Sequence, residues 1–275
     1  MVIKALVENT TINARYGTEY GLCLHIDAGH GQFLFDFGAG PLFVQNAHET
    51  GVDLSTIDYA VLSHGHADHG GGLAYFLQEN SRAKVFVRQE AFIPHYSATC
   101  IDGDYKYGGL DQNLATSDRL VFTNNLHSIC GGATLFSGVA GQDYFPPANA
   151  ALYMHVDNKM QPDNFHHEQN LVIEENGKAV LFLGCAHMGV ANILAHYVDI
   201  FGKAPDAVVG GFHLNSLDMC SADSQQYVKN LWGKLAQYDT VYYTCHCTGL
   251  EVYQYMRKIA GDKMRYISCG DVLVI

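Results

Sequence analysis

The residues best equipped for chemistry stand together at Ser63-His64-Gly65-His66-Ala67-Asp68-His69-Gly70-Gly71-Gly72. Four potential metal ligands fall within six residues, just after an apolar stretch ending at Leu62. Alternate residues of an extended segment point the same way, so His64 and His66 can converge on one ion. Asp68 and His69 then turn toward a neighbouring position. Imidazole suits zinc, iron and related ions, and a carboxylate adds a harder oxygen ligand. The three glycines are expected to let the backbone turn sharply into a helix without blocking the site.

Three more histidines follow apolar runs. His187 comes after the run ending near Leu183, His213 after the one ending near Val209, and His246 after the one ending near Thr244. Ligands of open α/β sheets gather beyond the carboxyl ends of the strands. One site shared with the first motif is therefore expected. Two metal ions roughly 3.5–4 Å apart can lower the pKa of a shared water to near neutrality. The resulting hydroxide can attack a phosphorus or a carbonyl carbon. His213 is expected to contact the substrate oxyanion or protonate the leaving group.

The elements that must position these groups read as two similar halves. Leu22–Ile26 and Phe33–Phe37 flank a Gly-rich turn and read as a hairpin. A helix is expected near 41–50, a strand over Tyr59–Ser63, a short helix over Gly72–Glu79 and a strand over Lys84–Val87. From about 94 to 118 no period is evident, and the segment is rich in Tyr, Gly and Asp. Loops of that length in a compact domain are usually functional. It reads as an ordered lid, with Tyr105, Lys106 and Tyr107 as candidate substrate contacts; a plain surface excursion is the alternative. Later strands are expected at Asn170–Glu174, Ala179–Leu183, Asp206–Val209, Thr240–Thr244, Arg265–Ser268 and Val272–Ile275. Helices are expected near 190–201, 222–238 and 250–260. No linker separates the halves, so residues 1–275 are expected to form one domain, with its two sheets packed face to face.

Composition narrows the classes. Lys plus Arg number 16 and Asp plus Glu 28, a net charge of −12, beside 15 His. That balance disfavours a nucleic-acid partner, which needs a basic footprint. Aromatic residues at 12% argue against disorder. No run approaches the roughly 20 apolar residues of a spanning helix. The stretch Met1–Thr10 is too short in apolar residues for a signal peptide. The 8 Cys show no paired CxxC spacing. A cytoplasmic protein without a membrane partner is expected, with most thiols buried as small apolar groups.

The HGHADH segment after an apolar strand resembles the HxHxDH signature of the metallo-β-lactamase superfamily. Phe35-Asp36-Phe37-Gly38 is similar to that family's strand-ending Asp-x-Gly element. Gly184–Gly189, Gly210–Leu214 and Cys245–Gly249 resemble elements of its dihydropterin-(ribofuranosyl)aminobenzene phosphate synthase-like branch. Asn9-Thr10 and Glu168–Leu171 are in character too. The resemblance spans most of the chain. It implies an α/β fold, a four-layer αβ/βα sandwich with a dinuclear metal site at the upper edge of the sheets.

By that resemblance His64, His66 and His187 hold a first ion, and Asp68, His69 and His246 a second. Asp36 orients one of these ligands. His166 or His167 competes with His187 as third ligand. Cys185 stands where the superfamily usually has a bridging Asp, and is either a bridging thiolate or a buried thiol. Zinc is the first expectation for the two divalent ions, with iron or manganese as alternatives. The implied activity is a metal-dependent hydrolase acting on a small, anionic phosphoester or phosphodiester, a pterin-related one among the options. Asp68 would also guide the nucleophile's proton. Carboxylic-ester, lactone or thioester hydrolysis is the alternative within the fold. A non-catalytic metal-binding or redox protein is the alternative outside it. Diiron relatives typically carry Glu at the second His of the motif, where His66 stands here.

Overall fold

Side chains alternate across a strand, so a strand covered on both faces must be apolar at nearly every position. Phe33–Phe35 and Ala179–Leu183 meet that condition and are fully buried. The computed structural model describes residues 1–99 and 103–275. The first eight strands are β1 (Val2–Val7), β2 (Cys23–Ala28), β3 (Gly31–Phe35), β4 (Tyr59–Val61), β5 (Lys84–Val87), β6 (His95–Ala98), β7 (Tyr105–Tyr107) and β8 (Leu120–Phe122). Then come β9 (Leu126–Cys130), β10 (Ala133–Ser137), β11 (Leu152–Val156), β12 (Lys159–Pro162) and β13 (Gln169–Glu175). The last are β14 (Lys178–Phe182), β15 (Ala207–Gly210), β16 (Val241–Thr244), β17 (Met264–Tyr266) and β18 (Val272–Val274). The helices are α1 (Leu42–Thr50), α2 (Ala67–Gly70), α3 (Leu73–Glu79), α4 (Val190–Phe201), α5 (Ala222–Leu235) and α6 (Leu250–Ala260).

Two seven-stranded sheets run β18-β1-β2-β3-β4-β5-β8 and β17-β16-β15-β14-β13-β10-β9. Each is antiparallel on one side and parallel on the other. In the first, pairing becomes parallel at β3–β4; in the second, at β14–β15. Phe33, Phe35, Leu135, Ile173, Val180 and Phe182 fill the space between the sheets. On the outer face of the first sheet, Phe43 of α1 and Phe76 of α3 cover Leu34 and Leu62. On the outer face of the second, Ile193 of α4, Leu231 of α5 and Met256 of α6 cover Leu181 and Val208. The result is the expected αβ/βα four-layer sandwich.

The parallel strands set the site. Phe35 pairs with Val61, and Phe182 with Val209, while Gly210 pairs with Thr244. The carboxyl ends of β3, β4, β14, β15 and β16 therefore open on one rim. Gln169 fastens the two sheets there: its side-chain amide donates to the carbonyls of Leu62 (2.8 Å) and Phe86 (3.1 Å).

The segment expected to lack a period contains β6 and β7; its residues 100–102 lie outside the described residues. These strands join a four-stranded sheet of order β12-β11-β6-β7, built from two separate parts of the chain. The contribution from 152–162 was not anticipated. Its strands are short and partly exposed, so their alternation is weak in sequence.

Tyr197 on α4 is fully buried, and its hydroxyl has no hydrogen-bond partner among the described residues. An unsatisfied buried hydroxyl is destabilising. Tyr197→Phe is expected to raise unfolding stability by about 1 kcal/mol in urea titrations. A loss of similar size would show that the hydroxyl is satisfied in solution.

Candidate metal centre

The left-handed region is costly for side-chain-bearing residues and is tolerated chiefly where the surroundings enforce it. Asp36, Ala186, His213 and His246 all adopt it, with φ of 62°, 54°, 51° and 49°. Each lies just beyond one of the strand ends on the rim. The turns thus bring Asp36, His213 and His246, and Cys185 and His187 on either side of Ala186, toward one space.

The glycines after HGHADH serve close packing instead of a special turn. Gly71 is in ordinary right-handed geometry. A Cβ there would strike the carbonyl of Ala39, and one on Gly72 the carbonyl of Phe37. This corrects the expected reason for the glycines.

The protons on the imidazoles can be placed from their partners. Asp36 is fully buried and accepts from the Ser63 N–H and hydroxyl, both at 2.7 Å, and from His69 Nδ1 at 2.6 Å. Because the Ser63 hydroxyl is committed to Asp36, its oxygen accepts from His64 Nδ1 at 2.8 Å. His187 Nδ1 donates to Asn149 Oδ1 at 3.0 Å, and Asn149 Nδ2 donates back to the His187 carbonyl. His246 Nδ1 donates to Asn9 Oδ1 at 2.9 Å. Four rings therefore hold a proton on Nδ1 and turn Nε2 inward.

Those nitrogens face one another. His64 Nε2 lies 3.3 Å from His187 Nε2, and His69 Nε2 lies 3.2 Å from His246 Nε2. Asp68 Oδ2 approaches His246 Nε2 at 3.3 Å. Two such nitrogens repel unless a proton or a metal ion lies between them. Cys185 Sγ stands 3.1 Å from His69 Nε2, and its sulfur also groups with the ligand atoms of His64 and His187 within 4.8 Å. The thiol thus lies between the two sets. The His66 ring packs 4.8 Å from those of both His64 and His187. The donors fit two divalent transition ions: imidazoles on one side, imidazoles and a carboxylate on the other, a thiol between.

Burial and the neighbouring imidazoles hold His64 well below the usual range, and burial does the same for His187 with help from His213. Both are neutral, as ligation requires. Burial would also lower His69, but the carboxylates of Asp36 and Asp68 outweigh it and raise the ring to about 9. Burial would raise Asp68, yet His69 and His246 outweigh it and hold the carboxyl well below its usual range. The Cys185 thiol is pushed well up by burial.

Two buried carboxylates unforeseen as site residues hold the ligand loops. Glu168 accepts the backbone N–H groups of His187 (2.6 Å) and Met188 (3.0 Å). Burial raises it to about 7 against those donors. Glu8 accepts the His246 N–H at 2.6 Å and the Tyr266 hydroxyl at 2.7 Å. His166 is exposed, and His167 sits behind the motif, accepting the Gly65 N–H at 2.9 Å. Of the three candidates for third ligand, the structure puts His187 opposite His64.

A cavity of about 210 Å³ opens over the centre. His66, Asp68, Cys185, His187 and His213 reach it, with Tyr20, Tyr96 and Leu152 as apolar walls. His213 packs 4.3 Å from His187, and neither of its ring nitrogens has a partner among the described residues. Tyr105, Lys106 and Tyr107 are exposed and do not line the cavity. From that segment Tyr96 and Gly108 do, and Tyr107 packs behind Tyr96 at 5.3 Å.

Metal uptake should displace the His69 proton. Without an ion, His69 stays protonated below about 9, and a ligand must be neutral. Calorimetry of zinc binding at pH 7 in buffers of different ionisation enthalpy is expected to show at least one proton released per chain. Apparent affinity should fall about tenfold per pH unit as pH drops below that value. Uptake without proton release would contradict this charge state.

The sequence profile of the metallo-beta-lactamase superfamily matches residues 16–207. An uncharacterized protein of Methanocaldococcus jannaschii is 25% identical over 279 residues, spanning 94% of this chain and 100% of its own. The 7,8-dihydropterin-6-methyl-4-(beta-D-ribofuranosyl)-aminobenzene-5'-phosphate synthase of that organism is 23% identical over 278 residues, spanning 95% and 92%. Among solved structures, Tm1679, a metal-dependent hydrolase of the beta-lactamase superfamily, aligns with a TM-score of 0.81 and 26% identity over 100% of this chain and 99% of its own. Zinc-bound PqqB from Methylobacterium extorquens shares the fold at a TM-score of 0.57 and 12% identity, with 100% of each chain covered.

Proposed function

The chain belongs to the metallo-β-lactamase superfamily, and from that premise we propose that it is a dinuclear metal-dependent hydrolase of small phosphoesters or phosphodiesters. The observation that carries the reading is the pairing of inward-turned Nε2 atoms at 3.3 Å and 3.2 Å across the cavity floor. When bound, the ion pair supplies a hydroxide nucleophile near neutral pH and polarises a substrate oxygen. His64, His66 and His187 would hold one ion, and Asp68, His69 and His246 the other, with Cys185 between them.

The residues around that floor divide the remaining work. Asp68 is 24% exposed at its side chain, enough for one oxygen to meet the nucleophile's proton. His213 has both ring nitrogens unpartnered at the cavity wall, placed to donate to a leaving-group oxygen. Among the described lining residues there is no Lys or Arg. In a chain of net charge −12, an anionic substrate then depends on the cations for attraction. A phosphate in the substrate accords with the relative whose name specifies a 5'-phosphate product. The cavity admits a phosphoryl group and a small part of its neighbour. Tyr20 and Tyr96 offer apolar walls to that neighbour.

The test is a parallel screen of the zinc- and manganese-loaded protein on an aryl phosphomonoester, an aryl phosphodiester, a lactone and a thioester. Hydrolysis of a phosphoester is expected. Turnover of the lactone or thioester alone would replace this substrate class with the carboxylic-ester one. His213→Ala should lower kcat by about 10²-fold with metal content unchanged. Full activity in that variant would remove His213 from the mechanism.

A further inference from the structure

Behind the metal centre lies a second cluster, His66, His95, Asp163 and His167, all buried. Asp163 directly follows β12, and His95 opens β6, so both come from the four-stranded inserted sheet. Asp163 Oδ2 accepts from His95 Nδ1 at 2.9 Å, from His167 Nε2 at 3.2 Å and from His66 Nε2 at 3.4 Å. The His167 proton is placed independently. Its Nδ1 accepts the Gly65 N–H, so its Nε2 carries the proton and must donate. Asp163 Oδ1 also accepts the Phe165 N–H at 2.8 Å, and with the His167 N–H shared by both oxygens the group acts as an ionised acceptor, to which His95 and His66 donate.

His66 differs from the other proposed ligands in this respect. In His64, His69, His187 and His246 the outer partner takes Nδ1 and leaves Nε2 inward. In His66 the outer partner takes Nε2. We propose that Asp163 is a positioning residue that selects Nδ1 of His66 as the ligating nitrogen, so that the inserted sheet is a structural part of the metal centre and not a detachable cover. Two further contacts agree with this. Asp163 is tied to the sheet by its N–H to the Leu152 carbonyl at 3.0 Å. The Gly108 carbonyl, beside β7, accepts the Ala67 N–H at 2.7 Å at the start of α2. The sheet thus holds the motif at His66 itself and at the residue after it. A carboxylate fixing the far nitrogen of a metal-bound histidine typically matters by about 10–100-fold in metal affinity.

The inference rests on the proposed metal binding, and its test does not use catalysis. Protein labelled with ¹⁵N-histidine is loaded with ¹¹³Cd, and long-range spectra assign the protonated and metal-coupled nitrogens. His66 is expected to show cadmium coupling at Nδ1 and a proton at Nε2. In Asp163→Asn, one of the two ions should bind about 10–100-fold more weakly, with the other unchanged. Coupling at His66 Nε2, or an ion held by His95 and His167, would overturn the inference. So would an Asp163→Asn variant with both affinities intact. Should that variant not fold, the wild-type coupling pattern alone decides. A protein that takes up no cadmium, zinc or manganese would sink the metal reading itself, a result distinct from uptake through Nε2.

Discussion

Two pairs of buried imidazole nitrogens face each other at 3.3 Å and 3.2 Å, and this constraint organises the rest of the site. Such pairs are electrostatically unfavourable in a low-dielectric interior unless a cation joins them. The surrounding residues enforce the arrangement. Asp36, Ser63, Asn149 and Asn9 each engage an Nδ1 and turn Nε2 inward. Glu168 and Glu8 fix the backbone of the loops bearing His187 and His246. The high affinity of His69 for a proton follows from the same design. Two carboxylates beside it call for positive charge, and a proton supplies it when no metal does.

The fold supplies this constraint twice over. Each half of the chain begins with antiparallel strands and changes to parallel pairing, so that several carboxyl ends reach one rim. The first half contributes Asp36 and the HGHADH motif. The second contributes Cys185, His187, His213 and His246. A core of Phe33, Phe35, Val180 and Phe182 keeps the halves in register, and Gln169 bridges them at the rim. The centre exists only when both sheets are packed, which couples folding to ligand geometry.

Much of this was legible in the residue order. The α4 and α6 helices stand where apolar periodicity put them, over 190–201 and 250–260. The histidines past the strand ends were visible because a motif after an apolar run has a local signal. The supporting groups had no such signal. Asn149 and Asp163 lie in a stretch of short, partly exposed strands and depend on pairing with β6, more than fifty residues earlier. Glu168 stands out in the sequence only as part of a motif, because its role is to accept backbone N–H groups from a loop 19 and 20 residues away. Tyr105 to Tyr107 stand out by composition, yet it is Tyr96 of β6, paired with β7, and not those residues, that lines the cavity. Aromatic content alone carries no direction.

The central claim is that the facing nitrogens bind two ions on either side of Cys185. Anomalous diffraction from zinc-loaded crystals, collected on both sides of the metal absorption edge, tests it most directly. The account predicts two peaks per chain, one bound by His64, His66 and His187 and one by Asp68, His69 and His246. A single peak, or none at these side chains in fully loaded protein, would contradict it.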